Sequence, residues 1–163
     1  MKPITPCLWF PWNAEEAVKF YVSVFPNSKI DRVACYTKAG RETHHGKPGS
    51  VLWIEFTLDG RPFSALNAQP LFKFNEAVSF YVPCKNQKEI DYYWNKLSKG
   101  GDKRAQQCGW LKDRYGVSWQ VAPDKVSQWL TDKDEAKRER FMTAMMKMKK
   151  MDYKKLKQAV EGR

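Results

Sequence analysis

Hydrophobic and polar positions follow the same order twice along the chain, at a constant separation of 73 residues. Asn13 and Asn86 each stand three residues before a glutamate, which is the pattern of a helix N-terminal capping box. After each box, apolar residues recur at three- and four-residue steps: Ala17, Phe20, Tyr21 and Val24 in the first copy, and Ile90, Tyr93, Trp94 and Leu97 in the second. The matching offsets predict an internal repeat with one amphipathic helix in each copy.

Strands are predicted on both sides of each helix. The apolar runs are 4–10, 29–37, 51–58 and 63–67 in the first copy, and 77–82, 105–108, 110–112 and 117–122 in the second. Asp59-Gly60 and Tyr115-Gly116 mark tight turns between strands. Each copy is therefore a β-α-β-β-β module with mostly antiparallel pairing, because the connections are short. Residues 38–50 have no counterpart and are predicted to form an exposed loop.

The C-terminal part of the chain is predicted to be helical and basic. An apolar stripe runs through one amphipathic helix at Phe141, Ala144, Met145, Met148 and Met151. The whole chain carries a net charge of +11, and residues 133–163 contribute eleven basic against five acidic residues. This net positive charge is compatible with a polyanion as the partner. No surface that combines aromatic and basic residues accompanies this charge, so nucleic acid is the least favoured partner. We expect the apolar stripe to pack on the body of the protein or on a partner subunit.

Composition narrows the class of protein further. A chain of 163 residues with 42% hydrophobic residues can form a packed core, and no apolar run is long enough to span a membrane. Pro6 and Pro11 interrupt the apolar run that a signal peptide would need. The four cysteines form no C-x-x-C pair, which favours a reduced compartment. The sequence therefore predicts a cytoplasmic protein without a membrane partner.

Several residue runs resemble the PhnB-like branch of the vicinal oxygen chelate superfamily, often labelled 3-demethylubiquinone-9 3-methyltransferase domain proteins. They are Asn13–Ala17 with Phe20-Tyr21, Phe25–Ser28, Phe63–Asn67, Phe72–Phe80, Asp91–Trp94, Cys108–Asp113 with Tyr115-Gly116, Ser118–Val121 and Met146–Lys150. The resemblance implies an α+β fold in which modules 1–75 and 76–123 form cupped mixed sheets within one glyoxalase-like domain, 1–123. Helices at 124–163 follow it, and the resemblance also implies a homodimer.

The resemblance also selects four positions that hold a metal in metal-dependent members of the superfamily. In this sequence they are Pro6, Ser64, Ser79 and Gln120, of which only Gln120 has a suitable side chain. His44 and His45 lie in the unmatched loop, where we expect them to be solvated. The sequence therefore predicts that the standard metal site is lost, and it predicts no cofactor.

Strand alternation assigns residues to the cup between the modules. In strand 51–58 the apolar set Leu52, Ile54, Phe56 and Leu58 should pack on the helices, which leaves Trp53, Glu55 and Thr57 facing the cup. Glu55 is the candidate catalytic residue, since partial desolvation would raise the pKa of its carboxyl towards general acid–base use. The alternative is an ordinary salt bridge or a place at a dimer seam. The candidate ligand-binding residues are Trp9, Trp53, Asn67, Phe72, Ser79, Tyr81 and Gln120.

Three classes of function remain. The first is a binder of a small organic ligand in the cup, or an enzyme that works without the standard metal. The second is a metal-dependent lyase or dioxygenase with unusual ligands such as Glu55 and Gln120. The third is a polyanion binder. The methyltransferase label would require an S-adenosylmethionine site, and no glycine-rich strand-to-helix turn supplies one. Whether a reaction is catalysed stays open.

Overall fold

A computed structural model describes residues 4–163, which fold into two compact units, one that ends at Lys73 and one at Phe74–Arg163. Residues 1–3, with which the predicted module 1–75 begins, lie outside the described residues. Each unit contains one mixed β-sheet and its helices. The predicted α+β class with two sheets and C-terminal helices is confirmed.

The first unit has a four-stranded sheet with the strand order β1-β4-β3-β2. Its elements are β1 (Cys7–Pro11), α1 (Ala14–Val24), β2 (Lys29–Cys35), the short helix α2 (Arg41–His44), β3 (Val51–Leu58) and β4 (Arg61–Ala68). The first and last strands of the unit, β1 and β4, run parallel, whereas β2–β3 and β3–β4 are antiparallel. The loop predicted at 38–50 is mostly exposed and contains α2.

Helix α1 packs against β3 and β4 through the face that the periodicity predicts. Ala17, Tyr21 and Val24 are buried, although Phe20 is only partly buried. The strand residues Ile54 and Phe56 are also buried, so the predicted alternation in β3 is confirmed at the centre of the strand. Burial of such side chains contributes about 1.5–3 kcal/mol each and is the main term that holds helix and sheet together.

The turn between β3 and β4 depends on two left-handed residues. Asp59 has φ 49° and Gly60 has φ 74°, which is the conformation of a two-residue hairpin turn. Glycine reaches this conformation without steric cost, and aspartate tolerates it better than most residues. The hairpin predicted from Asp59-Gly60 is therefore confirmed.

The second unit repeats the plan with one strand fewer. Its elements are β5 (Phe80–Cys84), α3 (Gln87–Ser98), a 3₁₀ turn (Lys103–Ala105), β6 (Trp110–Lys112), β7 (Ser118–Pro123), α4 (Val126–Leu130), α5 (Glu135–Met146) and α6 (Tyr153–Glu161). The sheet order is β5-β7-β6, and β5 runs parallel to β7 as β1 does to β4. Strands β1 and β5 and helices α1 and α3 begin 73 residues apart, so the repeat is confirmed.

Two local predictions in the modules are wrong. Residues 105–108 do not form a strand, because Ala105 belongs to the 3₁₀ turn and Cys108, with φ 50°, forms a tight turn with Gly109. Only an isolated bridge between Gln107 and Trp110 remains. The capping box at Asn13 is also absent, since its side chain makes no cap hydrogen bond. At Asn86 the box is present, because its Oδ1 accepts from the Glu89 amide at 3.0 Å.

The predicted C-terminal stripe does not lie on one helix: it is divided between α5 and the segment that joins α5 to α6. Phe141 lies in α5 and is buried, whereas Met148 and Met151 lie after the end of that helix. Beyond the C-cap residue Lys147, the Met148 and Lys149 carbonyls accept hydrogen bonds from the Cys108 and Gly109 amides, both at 2.8 Å. The tail therefore packs on its own unit at this point. Within residues 4–163, no helix combines the length and apolar character needed to cross a membrane.

Candidate functional site

The face of the first sheet opposite α1, called here the outer face, carries two adjacent rows of side chains. The strand registers align Trp9, Leu66, Trp53 and Ala34 across the four strands in one row, and Cys7, Ser64, Glu55 and Arg32 in the next. The first row is apolar and contains two indole rings that are half-buried. The second row is mainly polar and contains an acid and a base. Glu55 and Trp53 thus share one face, as the alternation predicts.

A hollow of about 540 Å³ lies on this outer face. Its lining includes Thr5, Asp31, Arg32, Trp53, Glu55 and Ser64. Its volume falls within the range of small-molecule sites. The hollow therefore combines a flat apolar surface with hydrogen-bonding groups of both signs.

Glu55, the candidate catalytic residue, forms an ion pair at the edge of this hollow. Its Oε2 lies 3.8 Å from Nε of Arg32, and 48% of its side chain is exposed. A β-bulge between Ile30 and Arg32 sets the register that brings the two residues opposite each other. The salt bridge that the sequence left open as an alternative is therefore present. An exposed pair of this kind contributes about 0–1 kcal/mol, so either partner can turn towards a ligand at little cost.

Asp31 has the clearest electrostatic signature in the hollow. Its carboxylate accepts a hydrogen bond from Thr57 Oγ1 at 2.7 Å, and Nζ of Lys29 lies 3.2 Å from its Oδ1. The Thr57 hydrogen bond, followed by Lys29 and Arg32, lowers the pKa of Asp31. Sequence reasoning missed this residue. The run Lys29-Ile30-Asp31-Arg32, with an acid between two bases in a strand, was the available signal.

The candidate residues Trp9 and Phe72 contact each other. Their rings meet edge to face with centroids 5.0 Å apart, and the Trp9 indole N–H donates to the Gln69 carbonyl at 2.7 Å. Phe72 is 64% exposed. Trp9 lies in the apolar row with Trp53, separated from it by Leu66. The structure therefore brings Trp9, Trp53 and Glu55 to one face of one sheet.

Asn67 lies on the other face of β4, against helix α1. Its Oδ1 accepts from the Ala14 amide at 3.0 Å and its Nδ2 donates to the Val51 carbonyl at 2.9 Å. The hydroxyl of Tyr36 donates to the backbone carbonyl of Asn67 at 2.7 Å. The side chain is buried, and its polar groups are engaged within the fold. Asn67 is thus not brought together with Trp53 and Glu55.

The remaining three candidates lie in the second unit. Gln120 Nε2 donates to Ser79 Oγ at 2.8 Å, and Tyr81 stands opposite Gln120 in the β5–β7 register. The Tyr81 hydroxyl donates to the Pro123 carbonyl at 2.9 Å, and burial raises the pKa of its phenol. Ser79, Tyr81 and Gln120 therefore form one polar cluster on the second sheet.

The four positions that the superfamily uses for a metal do not fit a metal here. Pro6 has no side-chain donor atom, and Ser64 Oγ donates to the Pro6 carbonyl at 3.3 Å. Ser79 and Gln120 hydrogen-bond to each other, and a neutral hydroxyl and amide are poor ligands for a transition metal. Among residues 4–163, no group of three or more His, Cys, Asp and Glu side chains is placed to hold a metal ion.

The fold and its paired modules define a glyoxalase-like protein of the vicinal oxygen chelate superfamily. The family model described as 3-demethylubiquinone-9 3-methyltransferase matches residues 2–122. The chain belongs to this PhnB-like family. The segment after residue 122, with α4, α5 and α6, lies beyond the matched range.

Solved structures agree with this assignment. The PhnB protein from Bacillus cereus is 36% identical, with a TM-score of 0.65, over 75% of this chain and 99% of its own. Protein PA1353 from Pseudomonas aeruginosa, 18% identical with a TM-score of 0.55, covers 73% and 95%. The fosfomycin resistance protein FosX from Listeria monocytogenes, complexed with Mn(II) and sulfate, is 11% identical, with a TM-score of 0.52, over 79% and 94%. The last two show the fold alone. Among curated proteins, none matches the chain.

Proposed function

We propose that this protein binds a small planar organic molecule on the outer face of the first sheet. The observation that carries the proposal is the adjacency of the two rows, with Trp9 and Trp53 in one and Ser64, Glu55 and Arg32 in the other. An aromatic ring stacks on an indole, while polar substituents reach the next row, which lies two residues further along each strand. The volume of the hollow, about 540 Å³, accommodates a single substituted ring.

Each polar group has a definite part in this binding mode. The Glu55 carboxylate accepts a hydrogen bond from a ligand hydroxyl, and the Arg32 guanidinium donates to a neighbouring oxygen. Ser64 lies opposite Glu55 and is buried, so it contacts only a group that enters the hollow. A ligand with two adjacent oxygens on an aromatic ring satisfies this set. The family description names a demethylated ubiquinone, whose planar quinone ring also carries oxygens on adjacent carbons.

Binding is proposed here rather than methyl transfer. An S-adenosylmethionine site of the Rossmann type needs glycines where a strand turns into a helix. The junctions that lead into α1, α3 and α4 are Trp12-Asn13, Lys85-Asn86 and Asp124-Lys125, and none of them contains a glycine. A single glycine, Gly40, precedes α2, which has only four residues. For any reaction at the outer face, we propose that Glu55 holds or moves the proton.

Isothermal titration with catechol tests this proposal, and trans-1,2-cyclohexanediol is the matched ligand without an aromatic ring. We expect saturable binding of catechol alone. Trp53→Leu and Glu55→Gln should each weaken it by about tenfold, since stacking and a charged hydrogen bond contribute roughly 1–2 kcal/mol each. Glu42→Gln, which removes an exposed carboxylate from α2, is the control and should leave affinity unchanged. Equal binding of both diols, or insensitivity to both variants, would contradict the proposal.

We also propose that two copies associate through the edge of the first sheet. Strand β2 is an edge strand in which only Ile30 is partly buried, and Val33 is 51% exposed. An exposed edge with an apolar residue is a ready template for pairing with another strand. Light scattering should give about twice the chain mass of 19.1 kDa at micromolar concentration. Val33→Lys should return the mass to that of one chain, whereas a monomeric unsubstituted protein would contradict the proposal.

A further inference from the structure

A large cleft lies in the second unit and is lined mostly by the part of the chain that follows the family match. It has a volume of about 1070 Å³ and is bounded by α5, α6, the segment between them and the first turns of α3. Two hydrogen-bond anchors fix its walls. Gln87 accepts from the Tyr153 amide at 2.7 Å, and Arg140 donates to the Ala159 and Val160 carbonyls at 2.9 and 3.1 Å. The cleft is therefore a formed feature of this unit.

The cleft is lined by more positive than negative charge. Six basic and three acidic side chains contribute to its surface. Two of the acids are paired, Asp91 with Lys150 at 2.6 Å and Asp152 with Lys155 at 3.8 Å. The third acid, Glu139, lies on α5. The surface of the cleft therefore carries a net positive charge.

Lys147 and Lys154 carry positive charge that no carboxylate of the described residues neutralises, and the third such side chain, Arg140, donates to backbone carbonyls. Both lysines are exposed, both line the cleft, and within the described part of the chain neither forms an ion pair. Lys147 caps the C-terminal end of α5, whereas Lys154 lies in the first turn of α6. The first turn of a helix ordinarily favours acidic residues, so lysine there is electrostatically unfavourable unless an anion is nearby.

The cleft lining includes apolar side chains but no aromatic ring. Met148, Met151 and Ala144 contribute to the lining, and Met151 is buried. Methionine is flexible and polarizable, so it adapts to aliphatic groups of irregular shape. Single-stranded nucleic acid is usually held by stacking on aromatic side chains, which this lining lacks. The combination favours a small amphipathic anion over a nucleic acid.

We propose that the cleft between α5 and α6 binds a small organic phosphate, with the phosphate at Lys147 and Lys154 and an aliphatic portion on Met148 and Met151. Lysine ammonium groups bind phosphate as point charges and supply three donors each. This site is separate from the outer face of the first sheet and uses none of its residues. It assigns a binding role to the part of the chain that the family model does not match.

Calorimetric titration with n-hexyl phosphate at 150 mM salt tests the proposal, with inorganic phosphate as the ligand without an aliphatic portion. We expect hexyl phosphate to bind saturably and about tenfold more tightly than inorganic phosphate. The double variant Lys147→Gln/Lys154→Gln should lose about tenfold or more in affinity. The control is Lys133→Gln/Lys149→Gln, which removes the same charge from exposed lysines of the same region outside the cleft.

The outcomes of this experiment distinguish a specific binding site from a diffuse positive surface. Loss of affinity in the first double variant with a change of less than about twofold in the control supports the proposal. Equal loss in both variants, or no saturable binding, overturns it. A short single-stranded oligonucleotide and vesicles of phosphatidylglycerol are then tested as competitors of hexyl phosphate. If either displaces hexyl phosphate with higher affinity and a steep salt dependence, the cleft serves a macromolecular anion and the proposal is wrong.

Discussion

Asn67 caps helix α1 by accepting a hydrogen bond from the backbone amide of Ala14, at 3.0 Å, across 53 residues of sequence. The same side chain donates to the Val51 carbonyl at 2.9 Å, so one buried amide joins α1, β3 and β4. The first turn of every helix has amides without intrahelical partners, and here a strand residue supplies the acceptor. The N-terminus of α1 is thus completed by tertiary structure.

We expect Asn67→Ala to lower the free energy of unfolding by about 2–3 kcal/mol. It removes two hydrogen bonds and leaves the Ala14 amide and the Val51 carbonyl without these partners. Urea denaturation followed by circular dichroism measures the change. Asn95→Ala, at an exposed position within α3, is the control and should alter stability by less than about 0.5 kcal/mol. A loss no greater than in the control would contradict the capping role.

The two capping asparagines should respond differently to the same substitution. Asn86→Ala should cost about 1 kcal/mol, because Asn86 accepts from the Glu89 amide. Asn13→Ala should change stability by less than about 0.5 kcal/mol, because its buried Oδ1 has no hydrogen-bond partner. Denaturant titrations of both variants decide the matter. Equal losses would mean that the box at Asn13 forms in solution, as the sequence alone predicts.

These asparagines show where sequence reasoning succeeds and where it fails. The repeat, both helix starts and the hairpin at Asp59-Gly60 depend on residues within a few positions of each other, and all were predictable. The cap of α1 was not predictable, because the side chain that accepts the hydrogen bond comes from β4. The break after α5 was not predictable either, since the Met148 and Lys149 carbonyls in it bond with the amides of Cys108 and Gly109, which are remote in sequence.

The same distinction between predictable and unpredictable features holds for the candidate site. Alternation within β3 suffices to place Trp53 and Glu55 on one face, since neighbouring residues of a strand point to opposite sides. The pairing of Glu55 with Arg32 depends on a bulge in β2, for which the sequence has no clear signal. The cleft between α5 and α6 requires the break after α5, and a continuous helix in its place would have no such cleft.

Asp113 stabilises the turn between β6 and β7, and its loss should be costly. Its Oδ1 accepts from the Tyr115 and Val117 amides at 2.8 and 3.0 Å, and its Oδ2 accepts from the Trp119 indole at 2.8 Å. We expect Asp113→Ala to lower the free energy of unfolding by about 3 kcal/mol, because the three donors lose a charged acceptor in a buried place. Asp124→Ala, at an exposed position, is the control. Thermal denaturation of the two variants should separate them clearly.

Cys84 should be inert towards thiol reagents in the native protein. Burial, followed by the nearby Glu89 and Asp124, raises the pKa of its thiol to about 12. The thiolate is the reactive form, so at pH 8 Cys84 is almost entirely unreactive. Ellman's reagent should first modify the exposed Cys7 and Cys35, and Cys84 only on unfolding. The variant Cys7→Ser/Cys35→Ser should lack the fast phase, and a fast phase that persists in it would assign the reactivity to another thiol.

The ion pair between Lys150 and Asp91 should be visible in the acid titration of the protein. The Lys150 hydrogen bond, followed by that from Gln87, lowers the pKa of Asp91 in the folded state. A lowered folded-state pKa means that this carboxylate favours folding above its unfolded pKa, near 3.9, and that the contribution is lost as the pH falls through the folded value. In a carboxyl-detected NMR titration, Lys150→Ala should raise the pKa of Asp91, and Asp91→Asn should reduce the acid dependence of stability below about pH 4. Lys149→Ala removes the neighbouring lysine and is the control. If it raises the pKa of Asp91 as much as Lys150→Ala does, the cause is general charge and not the contact at 2.6 Å.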